Sequence, residues 1–242
     1  MNTRIPWRQH LTVAFVIATS CNAAQPATQT AILKRWEGDA ISVDSPRRKF
    51  RWSVERCGSR LRSEWRDVSG ALVAWDEVTQ LGAAASRYDV MRIASAQSFS
   101  ARFQSGEIVI DSAVSGRILG REHVTTKGEA VIAGPMMIAA VQEHLPRLRA
   151  GQDLVRSYLV PEQSMVLRLL ARRSETGAGG SISVLIQAAA PLLRPFVPTT
   201  ILEFDGHDRL VRSSGRILPL LGAATLTTLM QPDQQPERTC EY

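Results

Sequence analysis

Residues 50–55 read FRWSVE, and this hexapeptide decides the fold class. Phe50, Trp52 and Val54 alternate with polar neighbours, so an extended strand places the three apolar side chains on one face. The same period of two returns at 72–78, 88–93, 99–103, 108–113, 165–169, 182–186 and 201–204, with glycine-containing turns between many of these segments. The pattern predicts a mainly β fold: a single large antiparallel sheet curled into an open half-barrel.

One segment, about 135–149, has a helical pattern instead. Its apolar stripe consists of Met137, Ala140, Val141, His144, Leu145 and Leu148. We predict one amphipathic helix that covers the concave face of the sheet, ended by Gly151. Pro146 is expected to kink this helix or to divide it into two short ones.

Two further features bear on the interior of the half-barrel. Ala188–Pro198 contains three prolines and cannot be a central strand, so we predict a somewhat apolar crossover loop at the rim of a cavity. The aromatic residues at strand spacing are Tyr88, Tyr158 and the tryptophans at 36, 52, 65 and 75. They are expected to pack in the core, with the lining of a lipophilic pocket as the alternative.

The N-terminus has the three parts of a bacterial export signal. Arg4 and Arg8 precede an uncharged apolar run at 11–20, and small residues follow at 21–24. The apolar run is about half as long as a helix that crosses a bilayer. We therefore predict a signal peptide over 1–23 and release of the mature protein into the periplasm or the medium.

Cys21 leaves a second outcome open. The sequence ATSC at 18–21 resembles a lipobox, and lipidation of Cys21 would anchor the protein in the outer membrane. After the signal we expect a loose leader over 24–48, the half-barrel domain over 49–217 and a C-terminal extension over 218–242. The longest other uncharged run, Ile217–Met230, is too short for a membrane span and is expected to be packing or loop.

Composition narrows the class of partner. The chain is 44% hydrophobic and 21% charged, which is typical of a globular protein with its own core. The net charge is +6, and only three of the 29 basic residues are lysine. The arginines are dispersed, which indicates a solvated face with at most a weak attraction to anionic membranes. Export makes nucleic acid an improbable partner.

Two cysteines remain in the mature protein whichever fate Cys21 has. Cys57 and Cys240 lie near opposite ends of it, in a compartment where disulfides persist. We predict a Cys57–Cys240 disulfide, with two unpaired buried thiols as the alternative. Such a bridge closes a loop of about 180 residues and contributes at most roughly 5 kcal/mol to stability. The spacing excludes a zinc ribbon.

A search for catalytic motifs finds no nucleophile elbow, metalloprotease helix, phosphate-binding loop or redox Cys-x-x-Cys pair. His144 is expected to be a satisfied core or edge residue. His123 adjoins Glu122, but neighbouring strand residues point to opposite faces. The sequence DGHD at 205–208 carries metal-ligand types, yet Asp-Gly favours a hairpin turn. We therefore predict no catalytic, cofactor or metal site.

The element order supports a resemblance. The helix ends in Arg149-Ala150-Gly151, a strand runs into Val160-Pro161, the hydrophobic strand 165–170 follows, and a hairpin closes the pattern at 202–212. Residues 50–217 thus resemble a group of exported bacterial proteins of unknown function with an antiparallel β half-barrel.

That architecture is similar to the periplasmic lipoprotein carrier and its outer-membrane receptor, in which a half-barrel closed by a helix shelters acyl chains. The resemblance implies that the helix of this chain is the lid of a ligand pocket. The lid residues are Met137, Val141, Leu145 and Leu148.

Three functions remain. The first is a non-enzymatic envelope protein that binds a lipophilic ligand or a lipid-linked partner in the open barrel. The second is an interaction or structural module of the envelope whose sheet face binds another protein and no small ligand. The third is a hydrolase with residues that no motif identifies, such as His123 or His207 beside a carboxylate. The oligomeric state does not follow from the sequence.

Overall fold

The computed structural model describes residues 34–42, 49–176, 180–215 and 226–231. These residues belong to one compact unit and form one sheet of fifteen strands. The first eight strands are β1 (Lys34–Ser42), β2 (Lys49–Cys57), β3 (Arg60–Asp67), β4 (Leu72–Leu81), β5 (Ala84–Arg92), β6 (Gln97–Gln104), β7 (Glu107–Val114) and β8 (Arg117–Thr125). The others are β9 (Val131–Ile132), β10 (Leu154–Val160), β11 (Met165–Thr176), β12 (Ile182–Ala188), β13 (Thr200–Phe204), β14 (Leu210–Gly215) and β15 (Leu226–Gln231).

The strands follow one another across the sheet as two meanders. The order is β8-β7-β6-β5-β4-β3-β2-β1-β15-β14-β13-β12-β11-β10-β9, so the two meanders meet where β1 pairs with β15. Neighbouring strands are antiparallel except the short pair of β9 and β10. The predicted mainly β half-barrel is confirmed.

The apolar face of the sheet turns inward and both meanders contribute to one core. Trp52 of β2 and Trp65 of β3 lie opposite each other, and their rings stack with centroids 5.3 Å apart. Leu202 and Phe204 of β13 are buried in the same cluster. Because residues from both meanders share a core, the sheet must curl, as the half-barrel predicts.

The outer face carries the dispersed arginines in ion pairs. Asp111 lies between Arg102 and Arg121, at 3.0 and 2.6 Å, and Arg62 contacts both Glu64 and the ring of Trp75. Exposed pairs of this kind contribute little to stability, typically below about 1 kcal/mol each. The arrangement fits the solvated face that the charge pattern predicts.

Two short helices cover the concave face where one was expected. α1 (Met136–Glu143) and α2 (Leu145–Arg149) meet at His144, and Pro146 lies in the first turn of α2. Proline cannot donate the hydrogen bond that would continue α1, so the break falls there. Arg149 donates to the Asp205 carbonyl and pairs with Asp208, which ties α2 to the β13–β14 turn.

Three segments differ from the expected organisation. β1 lies within the segment predicted as a loose leader, and β15 lies within the predicted C-terminal extension, so the sheet continues beyond 49–217. The apolar pattern of β1 and that of β15 are both weak. The two strands pair with each other, and this pairing holds them in the sheet. The predicted crossover at Ala188–Pro198 is wrong: it links the adjacent antiparallel strands β12 and β13 and contains a short 3-10 turn at Pro191–Leu193.

Within the described part of the chain, no helix has the length and apolar character needed to cross a membrane.

Candidate functional site

A cavity of about 240 Å³ lies inside the half-barrel, beneath α1. One wall comes from the first meander and includes Trp52. The opposite wall comes from the second meander and includes Tyr158, Leu167 and Leu202. Met137 and Ile138 of α1 form a further part of the cavity wall. An engineered apolar cavity of about 150 Å³ already holds benzene, so this space suffices for a small apolar group.

The cavity opens toward the loop between β12 and β13. Phe196 lines the cavity and yet is 80% exposed, and Pro198 and Gln163 are exposed lining residues beside it. Leu192 of the same loop is 86% exposed. An apolar loop therefore frames the mouth, at the rim where the prolines of 188–198 predict it.

The inner wall carries one carboxylate, Asp76 of β4. Its neighbours Ala74 and Val78 on the same face of β4 are fully buried, and Asp76 itself is only 3% exposed. The Tyr88 hydroxyl donates to Oδ2 at 3.0 Å, whereas Oδ1 has no hydrogen-bond partner among the described residues. A buried carboxylate oxygen without a partner normally costs free energy, so its position in a cavity wall requires an explanation.

Burial raises the pKa of Asp76 to about 6. The hydroxyls of Ser63 and Tyr88 stabilise the carboxylate and act in the opposite direction, while the negative charge of Glu162 raises the pKa further. At neutral pH Asp76 is therefore mostly ionised, in an apolar space.

Further polar groups surround Asp76 on neighbouring elements. Ser63 of β3 accepts a hydrogen bond from the Trp52 indole at 3.0 Å and lines the cavity. Arg92 of β5 is buried and paired with Glu162, which follows β10. Burial raises the pKa of Glu162 despite the Arg92 cation, and burial also raises the pKa values of Tyr88 and Tyr158. The Arg92 charge is thus balanced by Glu162, and Asp76 is left without a cation of its own.

The backbone just before α1 packs closely against Asp76 and Tyr88. Gly134 has φ +48°, and a Cβ there would lie 2.5 Å from Asp76 Oδ2 and 2.6 Å from Tyr88 Cε2. Only glycine allows both this conformation and this approach. The entry to the helical lid therefore rests directly on the Asp76–Tyr88 pair.

All four predicted lid residues are buried side chains of the two helices, but they do not all face the cavity. Met137 lines the cavity, whereas Val141, Leu145 and Leu148 lie deeper in the core cluster. Ile138, which was not among them, also lines the cavity.

The cysteine predictions lie partly outside the described residues. Cys57 is the last residue of β2, while Cys240 and the predicted lipidation site Cys21 are not among the described residues. The predicted disulfide and the predicted lipid anchor therefore stay predictions.

The histidines and the DGHD segment lie away from the cavity. His123 contacts Glu107 at 2.8 Å on the exposed surface, and His144 contacts the Ala140 carbonyl and Arg156. Asp205 Oδ1 accepts from the backbone amides of His207 and Arg209, which makes DGHD the predicted hairpin turn. Among the described residues, no group of three or more His, Cys, Asp or Glu side chains is arranged to hold a metal ion.

No sequence motif marks Asp76 as a functional residue. Its position in the alternating segment 72–78 could have identified it, because Asp76 lies on the same face of the strand as Ala74 and Val78. A charged residue at an inward position of a strand indicates a buried polar site. Arg92, in phase with Tyr88 and Val90 on β5, carries the same signal.

Comparison with known proteins yields a structural likeness. No family model matches the sequence, and no curated protein matches it. A solved structure described as a beta-barrel-like protein of a domain of unknown function from Brucella abortus is similar, with 7% sequence identity and a TM-score of 0.45. The similarity covers 85% of this chain and 98% of that one. This chain is thus similar to another β-barrel-like protein, and the likeness carries no information about ligand or partner.

Proposed function

We propose that this protein is a non-enzymatic, exported envelope protein that binds a lipophilic ligand inside the half-barrel. The observation that carries the proposal is the cavity of about 240 Å³ between the two meanders, with mostly apolar walls and an apolar mouth. Burying apolar ligand surface there contributes roughly 25 cal/mol per Å². Apolar pockets with a few polar groups are the usual form of small-molecule sites.

The predicted export signal and the resemblance to the carrier architecture agree with this proposal. In the carrier-like proteins a helix closes a half-barrel around acyl chains. Here α1 contributes Met137 and Ile138 to the cavity wall. We propose release into the periplasm or the medium, with a lipid anchor in the outer membrane through Cys21 as the alternative.

Calorimetric titration of the delipidated protein with octanol, a neutral amphiphile, tests the proposal. We expect saturable binding with a negative heat-capacity change, because apolar surface is buried. Ile138→Trp should fill the cavity and abolish the binding, whereas Ile138→Ala, at the same position, should enlarge the cavity and preserve it. No saturable heat, with the fold intact by circular dichroism, would contradict ligand binding.

A second candidate is an interaction module, and the edge of the sheet favours it. β8 ends the described sheet, and its Ile118 and Leu119 are 62% and 66% exposed. An unpaired edge with apolar side chains is suited to pairing with a strand of another protein. If octanol does not bind, a loss of partner capture from envelope extracts on Leu119→Lys would support this module instead.

A further inference from the structure

We propose that the cavity selects amphiphiles whose head group is a hydrogen-bond-donating cation, a primary ammonium, which pairs with the Asp76 carboxylate. This inference rests on the proposed function and names the class of ligand that the same site takes. It depends on three features of the wall: an unpartnered acceptor, an uncompensated charge and a rigid frame.

The unpartnered acceptor is a specific atom. Asp76 Oδ2 already accepts from Tyr88 at 3.0 Å, whereas Oδ1 is a buried atom with no partner among the described residues, and Asp76 lines the cavity. A carboxylate accepts several hydrogen bonds, so Oδ1 retains the capacity to bind a donor from the ligand. Ser63, on the same wall, adds a hydroxyl that can contact the same head group.

The charge of the site selects for a cation. Asp76 and Glu162 are both acidic, and the neighbouring cation Arg92 pairs with Glu162. An anionic head group next to Asp76 would meet an uncompensated like charge, whereas an ammonium would supply the missing partner. In an apolar interior both effects are stronger than in water.

The frame holds the acceptor in place. Gly134 contacts Asp76 and Tyr88 from the lid side, and the strand neighbours of Asp76 are buried. The carboxylate is therefore held at the cavity wall, where a head group that enters the cavity can approach it. The remainder of the ligand would lie along Leu167, Leu202 and Met137 toward the mouth.

Calorimetric titration of the intact mature protein with three ligands of equal chain length tests the inference: octylamine, octanol and octanoate. At about pH 7 we expect octylamine to bind about tenfold or more tightly than octanol, and octanoate to bind most weakly. The isosteric Asp76→Asn should remove the preference for the amine, so that octylamine binds no more tightly than octanol. Equal affinities for amine and alcohol, or an unchanged preference in Asp76→Asn, would overturn the inference.

The wild-type protein supplies an independent test if Asp76→Asn does not fold. Octylamine stays protonated and octanol stays neutral down to about pH 5. The preference for the amine should therefore fall as acid protonates Asp76, with Glu162, Arg92, Tyr88 and Tyr158 as the other ionisable groups packed around it. A preference that does not change with pH would overturn the inference. Failure of octanol to bind at all would instead contradict the proposed function.

Discussion

At the scale of single residues, the interior of the half-barrel is decided by a few inward-facing polar side chains. Strand alternation places Asp76 and Arg92 in rows that are otherwise apolar. Arg92 is compensated by Glu162 and by the ring of Phe99, 5.3 Å away, whereas Asp76 has only hydroxyl partners. The proposed preference for a cationic head group depends on this asymmetry.

Asp76→Asn is expected to change the pH dependence of stability. The folded pKa of about 6 lies above the ordinary value of 3.8, so the folded state retains a proton that the unfolded chain loses between these values. The free energy of unfolding therefore falls as pH rises through this window, by about 3 kcal/mol at most. Urea denaturation of both proteins at about pH 4 and about pH 7 measures it.

Asp76→Asn has no carboxyl group at this position, so the decrease in stability caused by ionisation of Asp76 should be absent. The stability of the variant should therefore rise relative to wild type as the pH increases. Glu162, whose pKa is also raised, is present in both proteins and largely cancels in the comparison. If the free energy of unfolding changed with pH in the same way in both proteins, the pKa of Asp76 in the folded state would not be raised.

At the scale of elements, the short connection from β9 to α1 determines how the helices are placed relative to Asp76 and Tyr88. β9 has only two residues, and Gly134 then turns the chain so that the helices lie over Asp76 and Tyr88. The hydrogen bonds of Arg149 and Gln142 to the β13–β14 turn fasten the other end of the helical pair. The lid is therefore held at both ends.

Gly134→Ala is expected to loosen the lid. The new Cβ would need both a left-handed backbone and displacement of Asp76 and Tyr88. Gly82→Ala is the matched control, because Gly82 also has a positive φ, +62°, but has nothing within 4 Å of a new Cβ. The control should lose about 1–2 kcal/mol of stability, and Gly134→Ala about 1–3 kcal/mol more. Equal losses in urea denaturation would argue against a close contact at Gly134.

At the scale of the whole molecule, the two meanders are joined at the centre of the sheet. β1 pairs with both β2 and β15, so β15 runs in the same direction as β2. Gln231, the last residue of β15, lies level with Ser53, and Cys57 is four residues further along β2 in the direction in which β15 leaves. Adjacent strands are about 4.8 Å apart, and nine extended residues span up to roughly 30 Å, so Cys240 can reach Cys57.

We therefore predict that peptide mapping without reductant, on protein recovered from the cells that make it, finds a Cys57–Cys240 disulfide. We also predict that the same mass spectra find the N-terminus at Ala24 or, as the alternative, at a lipidated Cys21. Because the bridge would fasten the central seam of the sheet, its reduction should lower stability by several kcal/mol, at most about 5. Free thiols at both positions in the native protein would contradict the prediction.

The sequence by itself determined the class of fold, the turn at DGHD, the helical segment and the apolar loop between β12 and β13. These features depend on local periodicity and turn chemistry, which neighbouring residues specify. Only the tertiary structure decided that β1 and β15 complete the sheet, because their weak patterns depend on pairing between residues almost 200 positions apart. Tertiary structure also decided the site. Asp76 lies where β4, β5, the 3-10 turn at Pro161–Gln163 and Gly134 come together, and this arrangement depends on the curl of the sheet.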